Sequence, residues 1–153
     1  MFSTYFLFKF LHITGAMVWI GGVCTLTLLN ARIARGQDWA ATASLARYGR
    51  FLGSTLMGPS ALVTLLAGLA MVVQAEYSFG TLWIVLGMGG IVAVMVLRSA
   101  VLGKLNRQAA LATAQEPDTP RLAVLLRRMT VWNIVMVLVL LVVVGAMVFK
   151  PTW

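Results

Sequence analysis

Charged residues are scarce in this chain of 153 residues, at 10%, and only four are acidic. Asp38, Glu76, Glu116 and Asp118 all lie outside the apolar runs. No carboxylate is therefore available inside those runs for a proton relay or paired acid–base catalysis, which argues against a pump or a proton-coupled carrier. One cysteine, Cys24, excludes an internal disulfide and a cysteine cluster. One histidine, His12, excludes a haem held by two histidines of the same chain. Cys24 follows it by twelve residues, ~18 Å along a helix, so the two cannot share one ion. Structural or catalytic zinc is disfavoured on the same count.

Apolar residues are abundant instead, at 61%, with a mean hydropathy of +0.94. Four runs are long enough to cross ~30 Å of hydrocarbon at ~1.5 Å per residue. They cover about residues 5–29, 56–73, 82–102 and 131–149. The expected fold is all-α, one integral membrane four-helix bundle. The first run is read as a retained span, because its arginines follow it and no small-residue cleavage site accompanies it. Ten of the twelve basic residues flank the first and third connections, leaving only Lys9 and Lys150 at the opposite side. The formal charge of +8 thus reads as topology and not as nucleic-acid binding. By the positive-inside rule the protein sits in a bacterial cytoplasmic membrane with both termini on the outer side.

The connections carry helix signals of their own. Asp38 is placed to cap a short helix from Trp39 towards Arg50, with Trp39, Leu45, Tyr48 and Phe51 resting on the membrane surface. Thr119 followed by Pro120 reads as an N-cap and first helical residue, giving a fourth helix of ~45 Å to Phe149. The third helix is expected to continue past Lys104 towards Ala112. The two form a cytoplasmic extension closed by a turn at Gln115 to Asp118. That hairpin is either a solvated basic face or a place where a partner docks. Within the spans, Ser60, Thr64 and Gly68 in the second, and Gly89 and Ala93 in the third, are small residues at a spacing that admits a neighbouring helix. Pro59 either starts the second helix's regular part or kinks it.

The run K-F-L-H-I-T-G-A-M-V-W-I-G-G, Lys9 to Gly22, is where chemistry is expected. At helical spacing His12, Gly15, Trp19 and Gly22 share one stripe. An ionisable residue within a span is a functional candidate, and a neutral, hydrogen-bonded imidazole packed in the bundle is the other reading the residues leave open. Haem b needs one or two axial ligands and a slot between helices. His12 can supply one ligand, and Met71, Met88 or Met147, all in the outer half of their spans, the other. A second protomer's histidine, or no sixth ligand, serves as well. Trp19 either walls a flat ligand or fills the core. Lys9 and Lys150 lie at the same membrane level, where each either snorkels to headgroups or meets a propionate. Nine methionines admit copper(I), but none forms a Met-x-x-Met pair. Arg98 and Asn133, at one level near the basic side, read as a structural polar pair.

The Lys9 to Gly22 run, G-P-S-A-L-V-T-L-L-A-G-L-A from Gly58, and the closing V-F-K-P resemble a bacterial family of predicted four-helix integral membrane proteins with a domain-of-unknown-function label. More distantly, the chain is similar to HemJ-type protoporphyrinogen oxidases and to copper-resistance protein D membrane domains. Lys9, Leu11, His12, Trp19, Gly21, Asn133, Lys150 and Pro151 fill places corresponding to the HemJ pattern. The resemblance implies His12 as a haem ligand. HemJ-like chains carry further histidines and an intramembrane lysine that this third span lacks. The expectation is a haem- or porphyrin-associated membrane redox protein, oligomeric or part of a membrane complex. An accessory subunit without catalysis is the alternative, and copper handling a third.

Overall fold

The computed structural model describes residues 4–36, 39–115 and 120–152, which are helical apart from the connection at 75–81 and the end of the chain. The helices are α1 (Thr4–Gly36), α2 (Trp39–Leu52), α3 (Gly58–Gln74), α4 (Leu82–Leu97), α5 (Gly103–Gln115) and α6 (Pro120–Phe149). Single π-helical turns, Gly53–Met57 and Arg98–Leu102, join α2 to α3 and α4 to α5 without breaking the rod. Four helices are long and apolar enough to cross a membrane, and they contain the four expected spans. The protein is an all-helical, multi-pass membrane bundle.

The rods are longer than the hydropathy runs. The helix expected to lie along the membrane surface after Trp39 instead runs straight into the second span, so that span is extended as well as the third and fourth. Tyr48 and Phe51 are exposed, while Leu45 turns inward. Pro59 explains the first π turn. Proline has no N–H to donate, and its ring clashes with the carbonyl four residues back. Widening the preceding turn, with the Gly58 N–H reaching the Gly53 carbonyl, lets the rod continue past it. Pro120 is the first residue of α6, as expected, but the proposed caps Asp38 and Thr119 and the turn at 116–118 lie outside the described residues.

α1 packs chiefly on α3 and then on α6, and α6 packs on α4. Although consecutive, α3 and α4 scarcely touch. Around the bundle the order is therefore α3, α1, α6, α4. Their connection ends α3 with a Schellman motif: Glu76 adopts φ 54°, the Tyr77 N–H bonds the Val72 carbonyl at 3.1 Å and the Glu76 N–H that of Val73 at 3.2 Å. On the inside, Val23, Met57, Ala61, Ile91, Val94, Met136 and Leu140 are buried, whereas the outward leucines, valines and phenylalanines form an exposed belt suited to lipid.

The α4–α6 seam uses other glycines than expected. Gly89 and Ala93 are exposed, with open space at Gly89. A Cβ at Gly90 would instead run into Val143, and one at Gly87 would stand 2.7 Å from Met147 Cε. The inward face of α4 runs through Gly87, Ile91 and Val94, one step out of register with the expected pair.

Candidate functional site

The stripe on α1 meets the small-residue stripe on α3, and this meeting sets the geometry of His12. A Cβ at Gly15 would lie 2.6 Å from Thr64 Oγ1 and 3.0 Å from the Ser60 carbonyl oxygen, so glycine is what lets the two helices close. Gly22 does the same against Met57 one end further on. Thr64 Oγ1 donates to the Ser60 carbonyl at 2.8 Å. At the other end of the seam the imidazole of half-buried His12 lies over Gly68, where a Cβ would stand 3.0 Å from Nδ1 and Cε1.

His12 Nδ1 lies 2.7 Å from the Thr64 carbonyl oxygen. A carbonyl oxygen only accepts, so Nδ1 carries the hydrogen and Nε2 keeps its lone pair. Tethering one ring nitrogen to a backbone carbonyl is the usual way of fixing the tautomer and orientation of a metal-binding histidine. The same bond also clamps α1 to α3, so the imidazole is both packed and left with one basic nitrogen.

The other expected ligand residues are dispersed. Met71 is half-buried on α3, three residues beyond Gly68 and so ~4.5 Å further along the helix. Lys9 is exposed, one turn before His12. Met147 is packed into the α4–α6 seam against Gly87, and Met88 is its half-buried neighbour on α4. The Lys150 ammonium stands over two rings, 5.7 Å from the centre of Tyr77 and 5.5 Å from that of Trp83. That cation–π pairing ties the end of α6 to the α3–α4 connection. Trp19, only 2% exposed, faces away from this end altogether.

Trp19 instead walls a cavity of about 500 Å³ in the half of the bundle nearer the basic end. His12 is not among its lining residues. Apolar walls come from Val23, Met57, Ala61, Met95 and Met136, and the polar ones from Asn30, Arg98, Asn106 and Asn133. Arg98 and Asn133 thus face one space, but no hydrogen bond joins them as a pair. Asn30 and Asn106 were not legible as site residues, because each stands among the basic residues flanking a connection and reads there as loop polarity. Among the described residues no group of three or more histidine, cysteine or acidic side chains is placed to hold a metal ion.

Comparison with curated proteins and with solved structures finds no match. A family model described as predicted integral membrane protein (DUF2269) matches residues 6–151, nearly the whole chain. With four membrane-length helices and that match, the chain belongs to the DUF2269 family of integral membrane proteins.

Proposed function

We propose that this is a haem- or porphyrin-associated membrane protein in which His12 Nε2 is the axial ligand. The observation behind this reading is the Nδ1–H bond to the Thr64 carbonyl at 2.7 Å, which leaves Nε2 basic and fixes the ring. Met71, ~4.5 Å along α3 from the glycine beneath the ring, is the methionine best placed to assist. Lys9, one turn away, is positioned to meet a propionate. Haem held there would supply one-electron redox chemistry. Trp19, Lys150 and Met147 have no part in this reading, since each is committed elsewhere in the bundle. The basic end is taken as cytoplasmic and the His12 end as external, in a bacterial inner membrane. A second protomer, or a partner subunit, completes the pocket around a half-exposed imidazole.

The test is an optical spectrum of protein purified from haem-replete cells, oxidised and then dithionite-reduced. A Soret band that His12→Ala abolishes or shifts supports the reading. Absence of a band overturns it and leaves His12 as an interhelical clamp in an accessory protein. Copper bound stoichiometrically without a Soret band replaces haem by copper.

A further inference from the structure

The cavity lined by Trp19 and Arg98 is built from elements that are otherwise unexplained. Both π turns line it, the first through Gly53, Ser54 and Met57, the second through Arg98, Ser99 and Leu102. A π turn inserts one residue and re-aims the side chains after it, and such turns concentrate at functional sites. Here the second one aims Arg98 inward, seventeen residues after Thr81 and so ~25 Å down the rod. Gly53 makes the space: a Cβ there would collide with the Arg98 guanidinium Nη2.

The polar groups around that guanidinium are not used by the fold. Asn30 and Asn133 are nine-tenths buried, at 9% and 8% exposure. Neither these two nor Arg98 and Asn106 takes a hydrogen bond or ion pair from a described residue. None has a sealed, unsatisfied polar atom either, so their polar ends open on the cavity. Burying amides and a guanidinium without partners is costly unless something in the cavity satisfies them. A guanidinium with three amides is a donor set for an anionic oxygen group, and no acidic side chain among the described residues lines the cavity to neutralise it.

The rest of the cavity runs away from this head site into apolar surroundings. From Asn30 back to Trp19 is eleven residues of α1, ~16 Å, along walls of valine, methionine and alanine. At about 500 Å³ the space is of small-molecule size, within the roughly 300–1,000 Å³ usual for ligand sites. We propose that it binds a single-chain amphiphile, with its carboxylate or phosphate head on Arg98, Asn30, Asn106 and Asn133 and its hydrocarbon chain directed towards Trp19. This is independent of whether His12 holds haem.

Trp19 at the chain end provides the readout, because bromine quenches indole fluorescence on contact. The purified protein in mild detergent is titrated with a dibrominated stearate and, separately, with its uncharged methyl ester. The Trp19 signal is taken as the difference between wild type and Trp19→Phe, since four other tryptophans also emit. Saturable quenching by the acid but not by the ester is expected. Arg98→Gln is expected to weaken it by about tenfold or more, Arg98→Lys less, and exposed Lys104→Gln not at all. Equal quenching by acid and ester overturns the proposal, and this arm needs only the wild-type chain, so it stands even if Arg98→Gln fails to fold. Unchanged affinity in a folded Arg98→Gln variant overturns it too. Nanodiscs containing brominated phosphatidylglycerol or brominated phosphatidylcholine separate the sources. Quenching of Trp19 by the anionic lipid alone identifies a membrane lipid as the ligand, and response to added free acid alone identifies a free fatty-acid-type ligand. Equal quenching by both lipids overturns the head-group assignment.

Discussion

Replacing Gly15 by alanine adds one methyl group at the tightest point of the α1–α3 seam. Its Cβ would stand 2.6 Å from Thr64 Oγ1, 3.0 Å from the Ser60 carbonyl oxygen and 3.3 Å from the Thr64 nitrogen. The hydroxyl can rotate away, but only by giving up its 2.8 Å bond to the Ser60 carbonyl, worth about 1 kcal/mol. The backbone oxygen cannot move without the helix. Overpacking of this kind costs about 1–3 kcal/mol, against which alanine returns about 1 kcal/mol of helix propensity. A net loss of about 1–3 kcal/mol corresponds to a fall in Tm of about 5 °C for a chain of this size. Parting the helices by ~0.5–1 Å would also forfeit a quarter to a half of each contact across the seam and stretch the His12–Thr64 bond from 2.7 Å beyond hydrogen-bond range. Thermal unfolding in detergent measures the first effect. Gly21→Ala is the control, because nothing lies within 4 Å of a Cβ there and alanine is expected to leave Tm unchanged or raise it. Adding Thr64→Ala to Gly15→Ala should restore part of the loss, read as a favourable coupling in a double-mutant cycle. If Gly15→Ala and Gly21→Ala move Tm in the same direction, the close approach at Gly15 is refuted.

Other perturbations address separate parts of the bundle. Glu76→Gly is expected to raise stability by about 0.5–1 kcal/mol in thermal unfolding, because a non-glycine residue there holds φ 54°. Lys150→Gln removes the cation from the Tyr77 and Trp83 rings and should cost about 0.5–1 kcal/mol, seen also as faster amide exchange in the last turn of α6. Asn133→Leu replaces a buried amide that has no protein partner and should raise Tm by an amount equivalent to about 1 kcal/mol. An unchanged or lowered Tm would mean that Asn133 is satisfied within the fold.

The amino-acid sequence alone determined the solvent, the number of crossings and the uneven distribution of basic charge. Apolar runs of bilayer length admit only helices that satisfy their own backbone, so four such runs dictate a four-helix membrane protein. The periodicity also placed His12, Gly15 and Gly22 on one stripe and Ser60, Thr64 and Gly68 on another. That these stripes face each other was decided by helix pairing, which depends on the summed fit of whole surfaces and not on the pattern of either helix. The same holds for Trp19, which shares a stripe with His12 in sequence. It sits ~10 Å further along a helix that lies against two different neighbours, and so turns to a different space. Gly89 and Ala93 looked equivalent to Gly87 and Gly90 for the same reason, since only the neighbour on α6 selects the face. The two π turns were the least legible feature. Each shifts the register of everything after it by one residue, so Arg98, an end-of-span arginine by every local rule, is carried into the interior opposite Gly53. The sequence fixes the parts of that cavity, but its existence depends on where four rods, two of them bulged, come to rest against one another.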